Sequence, residues 1–451
     1  MRRNGRREMV GANLRREERF SHITSFEKRL PFSSPSIHGD EWEYAARALE
    51  LGQASVSGEN IDWLEKTAAG YIGAEYAVAL NSGTAALHLA VKLAAERLYG
   101  SSSGISTPDG LGSGGSLKGR RVFCSDLTSA SVAAPILYEG GEPVFIDASM
   151  GDWNMDPEVL AIAFEQFPDV KLVVYAHLYG FPGQIDEIKK ICQEYGALLI
   201  EDASESLGAR YKGKQTGSFG DYGVLSFGSN GIITGSSGGI LLVHDRYSAE
   251  KALKWSRQSR EDAPWCQHEE LGYSYGMSNI IAGIVRGQWK YLGEHIEKKR
   301  KIYRRYAVRL ADLDIEMNPY DSQCCEPNFC CSCMIQGDNS LCEHQRSDKS
   351  YAYNTVHGRT CPDEILDALE SFHVEGRPVW KPMHMQPMYR NHEFVSADGC
   401  RRNFREFYMK MLAQADEGAY VFGRAVCLPC GVGMTVEEQE RVIEIVWGCY
   451  Q

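Results

Sequence analysis

Residues 197–241 read ALLIEDASESLGARYKGKQTGSFGDYGVLSFGSNGIITGSSGGIL. Three short apolar runs start in this stretch: Ala197–Asp202, Gly223–Phe227 and Gly239–His244. The first ends on the acidic pair Glu201-Asp202, and Gly- and Ser-rich turns separate the others. Runs of this length bounded by turn residues read as buried strands. The pattern repeats outward. Val144–Asp147 and Leu172–Ala176 are further strands, Ile185–Tyr195 is a helix between two of them, and Ser82–Leu98 is a helix with a Ser or Thr cap. Short apolar strands separated by helices imply an α/β fold, with a mostly parallel sheet covered on both faces.

The chain has 451 residues, enough for a large domain plus a smaller one. Past residue 295 the character changes. The charged helical stretch EHIEKKRKIYRRYAVRLADL leads into the strand-like EPNFCCSCMIQ, and Thr435-x-x-Glu438 is a capping box that opens an amphipathic last helix. The expected division is an N-terminal arm at 1–30, a large α/β domain at 31–293 and a small α+β domain at 294–451. A net charge of −12 argues against general nucleic-acid binding through phosphates. No apolar run reaches the length of a membrane span. The arm carries Arg2, Arg3, Arg6, Arg7, Arg15, Arg16 and Arg19 without the apolar core of a secretion signal, and Glu8, Glu17 and Glu18 oppose a transit-peptide reading. A cytoplasmic protein is the expectation. Residues 100–119, rich in Gly and Ser, read as an exposed flexible loop.

Six of the fourteen cysteines cluster: Cys324, Cys325, Cys330, Cys331, Cys333 and Cys342, with His344 behind them. The spacing lacks the paired CxxC of a zinc site. They read as reduced thiols in and around a strand of the small domain, and no metal site is expected; a metal or redox role is the alternative.

Two places carry chemistry on their own residues. Asn81-Ser82-Gly83-Thr84 sits at a helix start, where amides lack partners and the dipole favours an anion. Gly83 allows close approach and the Thr84 hydroxyl can donate; the plain alternative is an N-cap. Asp202 ends a parallel strand, where ligands of open α/β sheets bind. Its plain alternative is a cap on a following helix.

The order and spacing of several longer segments go further. They are SGTAALHLA, FCSDLT, FIDASMGDWNMDP, HLYGFPGQIDEI, EDASESLGARYKGKQTGSFGDYG, QHEELGYSYGMSN, EPNF, GRPVWKPMHMQP and CLP. From about Leu30 to its end the chain resembles the DegT/StrS family of sugar aminotransferases. These are pyridoxal phosphate (PLP) enzymes of fold type I, and the nearest members serve capsule, lipopolysaccharide and other surface-glycan pathways. The resemblance implies a homodimer with sites at the interface. It also implies transfer of an amino group from glutamate to a keto group of a nucleotide-linked sugar. It assigns Gly83, Thr84 and Ser226 to the cofactor phosphate, Asp202 to the pyridinium nitrogen, and Glu205 to the cofactor as well. His177 falls near the ring, and Arg377, Trp380 and His384 where the family meets substrate or cofactor. Judged alone, each histidine reads as a hydrogen-bonded structural residue.

The departures fall mostly on the site. Gly231 stands where the family has the Schiff-base lysine, and Ser129 where an aromatic residue stacks on the ring. Ala134, Ser274, Gly276, Cys330 and Cys430 replace the usual Asn, Asn, Arg, Trp and Ser. PLP or pyridoxamine phosphate is therefore expected to bind weakly and without a covalent link. The loop at 226–239 keeps the family's length, so a lysine at 231 is expected to fit without rebuilding the backbone, unless Gly231 uses a positive φ. Three functions stay open: an aminotransferase impaired or inactive as written, a non-catalytic partner of an active paralogue or a sugar-binding pseudoenzyme, and lysine-independent pyridoxamine phosphate chemistry such as sugar deoxygenation.

Overall fold

Valine, isoleucine and leucine fill the short runs, and burial on both faces makes strands of them. In the computed structural model these are β1 Tyr76–Leu80, β2 Arg121–Ser125, β3 Glu142–Ile146, β4 Leu172–Ala176, β5 Leu198–Asp202, β6 Tyr222–Ser226 and β7 Gly239–Val243. The structure describes residues 19–100, 115–338, 344–346, 351–353, 358–389, 391–399, 401–402 and 416–451. Most of the arginine-rich arm, the Gly/Ser-rich segment 101–114 and Cys342 lie outside them.

The sheet order is β1-β7-β6-β5-β4-β2-β3, and two short strands from later in the chain, Phe394–Val395 and Arg401–Arg402, extend it beyond β3. Pairing from β6 through β3 is parallel, and β7 runs against both its neighbours. All five residues of β4 are buried, as a strand covered on two faces requires.

Helix α1, Gly83–Tyr99, lies over one face with Ala85–Ala95 buried without a break. Ser82 caps it by accepting from the Ala85 amide at 3.0 Å. Helices α2 (Pro157–Gln166) and α3 (Ile185–Glu194) contribute to the core that contains Phe123, Val173 and Tyr175. Among the described residues no helix is long and apolar enough to cross a membrane.

A second, antiparallel sheet joins Ile315–Met317, Ser332–Gln336, Ala425–Leu428 and Arg377–Pro378 in that order. Its core also contains side chains of helices α4 (Leu292–Arg309), α5 (Pro362–Ser371) and α6 (Val436–Tyr450), and of the early residues Phe20 to Phe32. The capping box at Thr435 and Glu438 is formed. The strand expected across 326–336 is shorter, Ser332–Gln336. Phe329 turns the chain with φ 55°, and the Asn328 side chain accepts from the Cys330 amide at 2.9 Å.

Candidate active site

The ends of β4, β5 and β6 and the start of α1 converge on a cavity of about 360 Å³. Gly83, Thr84, Ser129, His177, Asp202, Glu205, Ser226, Gly231 and Trp380 all border it; Arg377 and His384 do not.

The helix start is built for close approach. A Cβ on Gly83 would lie 2.6 Å from the Ser226 Cβ, so only glycine lets β6 and α1 meet here. The Ala85 and Ala86 amides are taken by the Ser82 hydroxyl and carbonyl. The two residues before them, Gly83 and Thr84, border the cavity, and helix geometry leaves their amides without an intrahelical partner. The Ser226 hydroxyl accepts from the Gly228 amide at 3.3 Å and also borders the cavity. This end suits an anion.

Asp202 lies at the buried end of β5. The segment after it is a turn and not a helix: its Oδ1 accepts from the Ser204 amide at 2.9 Å. Burial pushes its carboxyl above the usual range, against the pull of Ser204 and His177. Glu205, three residues on, accepts from the Tyr179 amide at 2.6 Å. Burial pushes Glu205 up to about 7; the Tyr179 amide opposes this and the Asp202 charge adds to it.

His177 touches the cavity and turns one ring nitrogen away from it, while Nδ1 has no hydrogen-bond partner among the described residues. Its Nε2 lies 2.9 Å from Glu201 Oε1, and both side chains are fully buried. Tyr175 pairs with Glu201 and Ala176 with Asp202 across the two strands. Side chains alternate along a strand, so Glu201 and the ring that meets it lie on the face away from Asp202. Glu201 also accepts from the amides of Gly217, Phe219 and Gly220. This is a structural pairing.

The loop after β6 holds Gly231. Its φ is not in the left-handed region, so the backbone conformation itself admits a side chain. Space is the obstacle. A Cβ there would sit 2.7 Å from the Ile233 carbonyl oxygen, so a lysine at 231 does require the backbone to move, contrary to the expectation from loop length. Arg377 acts behind this loop. Its Nη1 donates to Asn230 Oδ1 at 3.0 Å, while Nε and Nη2 bind Glu375 at 2.9 and 2.8 Å.

Ser129 caps the helix Ala130–Tyr138 by accepting from the Ser131 amide at 3.2 Å. The Trp380 amide donates to the Tyr179 hydroxyl at 2.7 Å, and the residue is 37% exposed. His384 is buried outside the cavity wall, 2.7 Å from Asp126 Oδ2 and 3.3 Å from Asp416 Oδ2. Gly276 packs on Val56, where a Cβ would be 2.9 Å from the valine, so the arginine placed here by the resemblance has no room.

Sequence reasoning passed over several wall residues: Thr128, Ser131, Ser204, Ser236 and Ser237. The GSSGG run could have announced the last two. It also missed Lys299. This lysine is 2% exposed; its ammonium donates to the Cys330 carbonyl at 2.7 Å and lies 3.7 Å from Cys430 Sγ. Cys330 in turn donates its thiol to the Asn230 carbonyl at 3.3 Å, and Asn230 borders the cavity. A neighbouring thiol, Cys331, and the Lys299 charge draw Cys430 below its usual range although burial opposes them. Cys333 and Cys427 face each other across strands, their sulfurs 3.2 Å apart.

The pattern of the DegT/DnrJ/EryC1/StrS aminotransferase family matches residues 35–447. EpsN of Bacillus subtilis (strain 168), named as a candidate pyridoxal phosphate-dependent aminotransferase, is 34% identical over 93% of this chain and 95% of its own. GDP-perosamine synthase of Caulobacter vibrioides is 28% identical over 80% of this chain and 87% of its own. A solved structure of the candidate sugar aminotransferase Spr1654 from Streptococcus pneumoniae, in its PLP form, superposes with a TM-score of 0.73 at 18% identity, over 93% of this chain and 98% of that one. That last likeness speaks for the fold.

Proposed function

The chain belongs to the DegT/DnrJ/EryC1/StrS aminotransferase family, and we propose that it holds a pyridoxal-type phosphate weakly and without a covalent bond. The family reaction would move an amino group from glutamate to a keto group of a nucleotide-linked sugar for polysaccharide synthesis. In this chain that reaction is impaired or lost. One observation carries the reading: the cavity has an end lined by Gly83, Thr84 and Ser226 and an end lined by Asp202 and Glu205, and neither lysine nor arginine among the described residues that border it.

The residues present fit the phosphate and the ring nitrogen and lack the amine. When bound, the cofactor supplies an electron-withdrawing ring. The Gly83 and Thr84 amides and the Ser226 hydroxyl would hold the phosphate. Asp202 would keep the ring nitrogen protonated. Glu205, with its carboxyl at about 7, can take or give a proton near neutrality. Nothing at Gly231 can form the resting covalent link or shuttle the proton that a lysine would. Loss of a central nucleophile costs roughly a million-fold in another enzyme class. Arg377, proposed from the family as a substrate group, acts in this reading as a positioning residue for Asn230. His177 and His384 act in the frame and not on the ligand.

The division near Gly293 is part of the proposal; helix Leu292–Arg309 would open the smaller unit. A second reading, pairing with a lysine-bearing paralogue or with another copy, is favoured by exposed apolar residues in one stretch: Trp42, Leu49, Leu51 and Val56. A spectrum of the protein with PLP, before and after glutamate, tests the main reading. No internal aldimine band and no glutamate-driven change are expected. A band that glutamate discharges would overturn it.

A further inference from the structure

The charge inventory of the cavity is lopsided. Among the described residues its border includes two carboxylates, Asp202 and Glu205, and no ammonium or guanidinium. Nearby cations are already engaged. Arg377 is spent on Glu375 and Asn230. The Lys299 ammonium donates to the Cys330 carbonyl. The His177 ring turns Nε2 to Glu201, and its influence falls on Asp202, not on Glu205. An enclosed carboxylate without a counter-charge is costly. The opposite end of the same cavity offers amides and serine hydroxyls to an anion.

A ligand that satisfies both ends carries a phosphate at one end and its own cation at the other. Asp202 is matched by a protonated ring nitrogen. Glu205 then remains, with two neutral donors, the Tyr179 amide and the Trp380 side chain, and no counter-charge. We propose that the cavity takes its phosphorylated ligand in the amine-bearing form, and that Glu205 is the residue that selects it. An aldehyde brings Glu205 neither charge nor a proton to share, and the wall holds no amine for it to condense with. A primary ammonium brings both, as a charge-assisted hydrogen bond. This inference rests on the reading of the cavity as a pyridoxal-type site, and Glu205 decides only which form enters.

The test uses the full chain and two ligands with the same ring and phosphate: pyridoxamine 5′-phosphate, with an ammonium, and pyridoxine 5′-phosphate, with a hydroxyl in its place. Affinities are measured by calorimetry for the wild type and for Glu205→Gln, with circular dichroism as the check of folding. The amine form is expected to bind about tenfold or more tightly than the hydroxyl form. Glu205→Gln should remove that preference while leaving the hydroxyl form within about twofold. Equal wild-type affinities would overturn the inference and leave the cofactor reading standing. So would an equal loss of both ligands in the variant, which would mark Glu205 as a frame residue. Binding of neither ligand to the wild type would overturn the cofactor reading and this inference together. If Glu205→Gln does not fold, Glu205→Asp serves, with the preference expected to survive in weakened form; an unchanged preference would count against Glu205.

Discussion

Two neighbouring places in this molecule treat charge in opposite ways. Among the described residues the cavity is bordered by two carboxylates and by no lysine or arginine. Behind its wall, Lys299 is a buried ammonium surrounded by thiols, and Cys330 links that cluster to Asn230 at the cavity. The chain can bury an amine; the cavity does without one. That Gly231 brings no amine is therefore a local fact about the loop. The frame that would position a cofactor, from Gly83 to Ser226, is built on strand and helix ends, and the loop touches it through the Gly228 amide on Ser226.

The comparison breaks most visibly at the cluster. Cys430→Ala removes the thiol that the Lys299 ammonium faces, a group that Cys331 and this charge draw below its usual range. We expect a loss of about 3 kcal/mol, read as a drop in melting temperature. Adding Lys299→Met should recover much of it, because an apolar pair replaces an unpaired charge. Purely additive effects would show that the two side chains do not act as an ion pair.

Much of this was readable in the sequence, for physical reasons. The strands β3 to β7 announced themselves because burial on two faces demands unbroken apolar runs. The helix start at Ser82 did so because a cap needs a short side chain that accepts, which serine supplies. Other features depend on distant partners. The ring of His177 faces Glu201 because of strand alternation and register, which a motif does not display. His384 depends on Asp126 and Asp416, far from it along the chain. Lys299 was misleading in a different way. It sits in a run of charges that reads as a solvated helix. Yet His295, Lys299, Ile302, Tyr303 and Tyr306 are all buried along Leu292–Arg309, at spacings of one helix face. That periodicity was present and was outweighed by the charges around it.

A third buried place holds both signs. Burial alone would lower the His384 pKa, but the Asp126 and Asp416 carboxylates outweigh it and raise it to about 10. A histidine raised in the folded state stabilises fully below its unfolded value near 6.5, and that contribution fades as pH climbs through about 10. Melting temperature should therefore fall across this window. The fall should be shallower in His384→Gln than in the wild type. Parallel slopes would show that the histidine is not charged in the fold.

Within the cavity, smaller changes sharpen the contrast. Gly231→Ala should cost about 1–2 kcal/mol, since its Cβ meets the Ile233 carbonyl. No loss of thermal stability would mean that the loop relaxes freely. The double change Gly231→Lys with Ser129→Phe should then form a borohydride-reducible aldimine with PLP. A folded double variant that binds PLP without one would show that 231 is not the lysine position. At the anion end, Ser82→Ala should cost about 1 kcal/mol through the lost cap. An unchanged melting temperature would show that water replaces the hydroxyl.

The central claim is that the cavity keeps the shape of a cofactor site without its amine. It is tested most directly by borohydride reduction of the wild-type protein with PLP, followed by peptide mapping. The expected result is release of PLP on dialysis and no lysine fixed to it in stoichiometric amount. One lysine carrying a full equivalent, Lys299 above all, would contradict it.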